Sequence, residues 1–155
     1  MLNQEIAAIF RKMALFFQMQ DDGFRARAYE NGAEILENLT LNVKDVYAKK
    51  GLKGLEDLHG IGRGMAEKIE EYIKTGKIKE YGDLKKKMPV DIDELASVEG
   101  LGPMSIKTLY KKLKIKNLED LEKAAKAGKI QKLKGFGKKT EGNILEGIEF
   151  VKKNP

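Results

Sequence analysis

Three segments of this chain stack on one another without a gap: Leu58-His-Gly-Ile-Gly-Arg-Gly-Met-Ala-Glu-Lys-Ile69, Val98-Glu-Gly-Leu-Gly-Pro-Met-Ser-Ile-Lys-Thr-Leu109 and Leu133-Lys-Gly-Phe-Gly-Lys-Lys-Thr-Glu-Gly-Asn-Ile144. Each reads apolar, any residue, Gly, apolar, Gly, and then a stretch with an apolar residue seven positions after the second Gly. The first glycines, Gly60, Gly100 and Gly135, are 40 and 35 residues apart. A unit repeated at that spacing is one supersecondary element used several times. A second echo supports duplication: Thr75-Gly76-Lys77-Ile78 and Ala127-Gly128-Lys129-Ile130 each close a helical stretch.

The segments between the repeats read as helix. Leu2, Ile6, Ile9, Phe10, Met13, Phe16 and Phe17 follow the three- and four-residue spacing of one buried face. Asp21-Asp22-Gly23 breaks that helix. A second is expected over about 24–39, with Phe24, Ala28, Ile35 and Leu36 inward, and Asn42 caps a short third one carrying Val43, Val46 and Tyr47 that ends at Gly51. Phe10, Phe16, Phe17, Phe24 and Tyr47 are spaced for core. No stretch alternates apolar and polar residues long enough for a strand. The expected fold is all-α, made of small helical bundles on tandem helix-hairpin-helix motifs. Lys85-Lys86-Lys87-Met88-Pro89 is the clearest break in pattern, so the expected domains are 1–84, with the first hairpin, and 89–155, with the second and third.

A hairpin that joins two helices in three or four residues forces backbone angles that a Cβ makes costly, and Gly supplies them. Gly also lets an anion approach the main chain, where the next helix presents unpaired N–H groups and its positive dipole end. The middle apolar residue (Ile61, Leu101, Phe136) is expected to point back and lock the hairpin. The result is a neutral anion cradle at Gly60–Gly62, Gly100–Gly102 and Gly135–Gly137. Gly64, Arg63, Lys68, Lys107, Lys138 and Lys139 lie just inside the helices, and the basic ones add counter-charge. Such contacts position a protein on a nucleic-acid backbone and carry no base information. A dinucleotide fingerprint shares the Gly-x-Gly but needs a preceding strand and a βαβ unit. Gly54-Leu55-Glu56-Asp57-Leu58 reads as helix instead.

Composition narrows the partner. Thirty Lys and Arg stand against 24 Asp and Glu, a net charge of +6, which favours an anionic partner. With no Cys and one His, disulfides, thiolate or multi-histidine zinc sites and a cysteine nucleophile are excluded. Glu5, Arg11 and Lys12 interrupt the apolar N-terminal stretch, so it reads as neither signal peptide nor membrane span. The expectation is a cytoplasmic (in a eukaryote, nuclear) monomer with DNA as partner and no membrane.

The pair of hairpins, with Phe24-Arg-Ala-Arg-Ala-Tyr29 upstream, resembles the N-terminal part of family X DNA polymerases, the bacterial and archaeal branch related to polymerase beta. The resemblance covers essentially the whole chain. Its most diagnostic stretch is Gly60-Ile-Gly-Arg-Gly-Met-Ala-Glu-Lys-Ile-Glu-Glu-Tyr-Ile-Lys-Thr-Gly-Lys77, and Gly100-Leu-Gly-Pro103 with Asn117-Leu-Glu-Asp-Leu121 agrees with it. It implies a small DNA-binding domain followed by a subdomain that grips duplex DNA, with gapped or nicked duplex and 5′-phosphate ends as ligands in DNA repair. Nucleotidyl transfer in that family rests on palm aspartates and Mg2+, which the residues up to Pro155 do not supply. Asp91 and Asp93 read as helix-capping residues instead.

The resemblance also offers one centre of chemistry. Lys68 falls where lyase members carry a Schiff-base lysine acting on a 5′-deoxyribose phosphate. Arg25, Arg27 and Arg63 are expected to supply nearby cations; by the resemblance, Arg25 matches a phosphate-binding basic residue and Tyr29 a tyrosine near the lyase site. Gly64 and Glu80 depart from the pattern, each standing where a basic residue is usual, and Phe24 replaces a histidine. Active lyase, phosphate binding without chemistry and a protein-binding helix-hairpin-helix scaffold stay open here. His59, in the loop before Gly60, is expected near phosphate without a catalytic role. The backbone carbonyls of Glu56, Leu58 and Ile61, and of Ala96, Val98 and Leu101, match positions that hold a monovalent cation (Na+ or K+) bridging to phosphate.

Overall fold

Helix α1 (Leu2–Met19) turns one face wholly inward, with Ile6, Phe10, Met13 and Phe17 at 0–1 % exposure. The computed structural model describes residues 1–155, and every regular element in it is an α-helix. Two compact units divide the chain between Lys87 and Met88. The lysines of the expected break, Lys85–Lys87, form the last turn of a helix, with Met88 and Pro89 beyond it.

In the first unit, α1 lies along α2 (Gly23–Asn38), which Asp22 caps through Arg25 N–H. The buried face of α2 is Ala26, Tyr29, Ala33 and Leu36. Phe24 is 79 % exposed, contrary to its expected place in the core. Two residues before Ala26, it falls about 200° round the helix, on the opposite side. Tyr29 packs edge-on to Phe10 and stacks on Phe17 at 5.2 and 5.3 Å. Asn3, fully buried, accepts Val43 N–H at 2.9 Å and donates to Leu41 C=O at 2.7 Å. Both ends of its amide are thereby satisfied, and the start of α3 (Val43–Glu56) is fastened to α1.

Asn42 caps α3, as expected, and Gly51 (φ 64°, ψ −154°) breaks it into two pieces. The second piece, residues 52–56, is the first helix of the Gly60–Gly62 hairpin. Helix α4 (Arg63–Thr75) is the second, closed by Gly76 in the left-handed conformation. Chain reversal there returns α5 (Lys79–Lys87) to the bundle through buried Ile78 and Leu84.

The second unit repeats the scheme on a core without buried aromatics. Short α6 (Ile92–Ala96), capped by Asp91, leads through the Gly100–Gly102 hairpin into α7 (Pro103–Leu113). Asn117 caps α8 (Leu118–Lys126), and after the Gly135–Gly137 hairpin comes α9 (Lys138–Lys153). Leu95, Ile106, Leu109, Leu121, Ile130 and Ile148 fill the interior. Gly147 lets α9 close on the second hairpin, since a Cβ there would stand 2.8 Å from Val98. Glu141, 6 % exposed, ties α9 to the loop before it: its carboxylate accepts both the Gln131 backbone N–H and the Gln131 side-chain amide. No helix is long and apolar enough to cross a membrane.

Candidate nucleic-acid interface

One turn is built three times. Ile61 N–H donates to Leu58 C=O, Leu101 N–H to Val98 C=O and Phe136 N–H to Leu133 C=O, at 3.0–3.1 Å. The first glycine of each has positive φ: 85° at Gly60, 85° at Gly100 and 88° at Gly135. That region penalises any residue with a Cβ, so the turn itself calls for glycine. Ile61 and Leu101 are only 4 and 6 % exposed and lock their hairpins, whereas Phe136 is half-buried.

The second glycine separates the three. Gly62 (φ −84°, ψ 175°) and Gly102 (φ −90°, ψ 176°) have the same extended conformation, open to other residues. A Cβ at either would meet nothing within 4 Å. Gly137, at φ 94° and ψ 172°, is in a conformation that demands glycine. Gly64, in the first turn of α4, likewise has open space around it. Glycine there costs helix stability relative to alanine, and neither packing nor φ explains it.

Helix starts set all three hairpin helices apart from the capped ones. Helices α2, α3, α6 and α8 begin with an Asp or Asn side chain bonded back to the first turn. The hairpin helices α4, α7 and α9 begin with glycine and have no side-chain cap. Their first-turn N–H groups are left to an external acceptor.

Charge around the hairpins is uneven. Arg63, at the first, reaches Glu67 at 3.1 Å and Glu56 at 3.9 Å, so its charge is answered within the fold and it does not join the Lys68 cluster. Lys107 is half-buried on α7. Lys138 and Lys139 are exposed at the start of α9, and Lys132 and Lys134, which sequence reasoning passed over, are exposed on the other side of Gly135. The clustering of those four around one Gly-Phe-Gly was the signal that would have found them.

Lys68 sits on α4 with its side chain 31 % exposed and its ammonium 3.6 Å from Glu80 of α5. Glu80 also accepts the Tyr29 hydroxyl at 2.8 Å and pairs with Arg25 at 3.8 Å. The structure thus brings Arg25, Tyr29 and Lys68 together around a carboxylate, and Arg25 is the one of the expected cations that joins them there. Arg27 is exposed on α2. Burial, then the hydrogen bond to Glu80 and its charge, push the Tyr29 phenol well above its ordinary range. No group of three or more His, Asp or Glu side chains is placed to hold a metal.

Residues 1–78 match the helix-hairpin-helix domain family, and residues 52–114 and 92–149 match the SAM-like helix-hairpin-helix tandem. This chain belongs to the helix-hairpin-helix family. Among its relatives is the DNA polymerase/3′-5′ exonuclease PolX of Bacillus subtilis (strain 168), 31 % identical over 156 residues. That match takes in 100 % of this chain and 26 % of PolX. DNA polymerase lambda of Arabidopsis thaliana is 28 % identical over 134 residues, 85 % of this chain and 24 % of that protein. A DNA ligase of Natranaerobius thermophilus is 41 % identical over 58 residues, 37 % of this chain and 9 % of the ligase. The likeness to family X polymerases holds along the whole helix-hairpin-helix chain, which spans about a quarter of the length of either polymerase.

Proposed function

We propose that this chain binds DNA through its sugar-phosphate backbone, without reading base sequence, in the manner of the DNA-gripping part of a family X repair polymerase. The observation that carries the reading is a contrast in helix starts: Asp or Asn side-chain caps on α2, α3, α6 and α8, bare glycine on α4 and α7, which follow a hairpin. Glycines at 62, 64 and 102 that packing does not require fit a partner whose phosphates come close to the main chain. The Gly60–Gly62 and Gly100–Gly102 hairpins are the principal cradles, with Gly135–Gly137, Lys138 and Lys139 a third. Gapped or nicked duplex with a 5′-phosphate is the preferred form.

A monovalent cation suits the first two turns. The Leu58 and Val98 carbonyls each accept one turn N–H, which leaves a second lone pair for a hard ion. Glu56 and Ile61 in one hairpin, and Ala96 and Leu101 in the other, would supply further backbone oxygens beside DNA phosphate.

The test is affinity for a gapped duplex as a function of salt. Replacing Gly62 and Gly102 together by Ala should lower the slope of log affinity against log salt by about three to six phosphate contacts, near 0.9 each. An unchanged slope sinks the cradle. Gly64→Ala sharpens the test, because it should raise helix stability by up to about 1 kcal/mol while weakening DNA binding.

A second reading, 5′-deoxyribose-phosphate lyase activity, is favoured by the partial burial of Lys68, whose side chain is 31 % exposed, with Glu80 placed to take its proton. The Lys68 ammonium would pass a proton to the Glu80 carboxylate beside it, and the amine so freed would add to the C1′ aldehyde and lose water to give the imine. Loss of a C2′ proton then breaks the C3′–O bond and frees the 5′-phosphorylated strand. Borohydride reduction with a 5′-deoxyribose-phosphate duplex should trap a covalent adduct that Lys68→Ala abolishes. A wild-type chain saturated with DNA and giving no adduct rules the chemistry out.

A further inference from the structure

We propose that Glu80 is a resident anion: its carboxylate holds the place of a terminal phosphate among Arg25, Tyr29 and Lys68, and a strand's 5′-phosphate binds the first unit by displacing it. The inference rests on the DNA-backbone reading and adds to it a device that governs which DNA ends are retained. Three donors from two helices converge on one side chain of a third. The Tyr29 hydroxyl lies at 2.8 Å, Lys68 Nζ at 3.6 Å and Arg25 Nη1 at 3.8 Å. Asp22 answers Arg25 as well, at 3.4 Å, so the charges of Arg25 and Lys68 are both answered within the fold.

A carboxylate and a phosphate monoester are recognised by the same charge-assisted donors, the phosphate with more charge and more acceptor oxygens. The Lys68 and Glu80 side chains are 31 and 32 % exposed, so solvent and ligand reach the cluster. Glu80 sits in the first turn of α5, two residues beyond buried Ile78, and its side chain alone enters the cluster. It can leave without unfolding the helix. The consequence is an exchange: an incoming phosphate gains three donors only as Glu80 loses them. A 5′-hydroxyl end carries no charge to drive that exchange.

The experiment compares gapped duplexes that differ only in a 5′-phosphate or 5′-hydroxyl at the gap, on the full chain. Glu80→Gln should tighten binding of the phosphorylated duplex about tenfold and change the hydroxyl form by less than about twofold. Adding Lys68→Ala should cancel the gain. Equal gains on both duplexes, or none, would overturn the proposal. So would a Glu80→Gln chain that folds less stably with its end preference unchanged, because that marks Glu80 as a structural tie. The wild-type chain supplies a readout that needs no variant. The Glu80 carboxyl carbon resonance should shift on adding the phosphorylated duplex and stay in place with the hydroxyl one, and an identical response to both is a refutation. Continuous duplex separates the two ideas: normal affinity for it without end preference defeats the resident anion alone, and no affinity for any duplex defeats the backbone reading.

Discussion

The hairpins at Gly60–Gly62 and Gly135–Gly137 share a letter pattern, a turn hydrogen bond and a positive φ at the first glycine, yet differ at the second. Gly62 is extended with φ −84°, and Gly137 has crossed to φ 94°. In the first hairpin, and in its match at Gly100–Gly102, the second glycine leaves room that the fold does not use. In the third, the fold itself consumes the freedom of glycine. One motif can therefore be kept for an outside partner in one place and for the chain's own path in another.

Substitutions sharpen the comparison, from the largest effect downward. Gly60→Ala should be the most damaging, at roughly 2–4 kcal/mol, because its φ is positive and its Cβ would lie 2.5 Å from Ile35 Cδ1. Gly100→Ala has the same φ but open space, so it should cost clearly less. Urea unfolding followed by amide exchange in each unit measures both, and equal losses would show that Ile35 yields freely. Next comes Gly137→Ala, expected to cost about 1–3 kcal/mol from backbone strain. Gly102→Ala should stay below about 1 kcal/mol, a modest change at a helix cap. Similar losses at the two positions would erase the distinction drawn between the hairpins.

The smallest effect is a pH dependence confined to the first unit. The Tyr29 phenol is raised in the folded state, so its contribution is full below the unfolded value of about 10 and fades as pH climbs beyond it. Stability of the first unit should fall above pH 10, and Tyr29→Phe, which keeps the ring packing, should flatten that fall. Tyr72, raised by burial and by Glu5, leaves a remainder in the variant. A curve unchanged by Tyr29→Phe would place the alkaline sensitivity elsewhere.

Much of this was legible in the sequence because it is local. The all-helical fold, the caps at Asn42 and Asp91 and the break at Gly51 each depend on a few adjacent residues. The apolar face of α1 was legible for the same reason. Phe24 was misplaced because an apolar side chain says nothing of its angle around a helix, which the packing of Ala26, Tyr29 and Ala33 decides. Glu80 was visible only as a missing base. Its meeting with Tyr29 spans 51 residues, and no spacing rule reaches that far. The conformation of Gly137 was hidden too, since the letters Gly-x-Gly are the same whichever sign φ takes.

The uneven placement of aromatic rings has an optical consequence. Four of the five tyrosines (Tyr29, Tyr47, Tyr72 and Tyr81) belong to the first unit, as do the buried phenylalanines, while the second holds Tyr110 with Phe136 and Phe150 nearer solvent. With no tryptophan in the chain, near-ultraviolet dichroism and tyrosine emission watch one half of the molecule almost alone. A melt recorded that way would report the first bundle losing its shape and pass in near silence over the second.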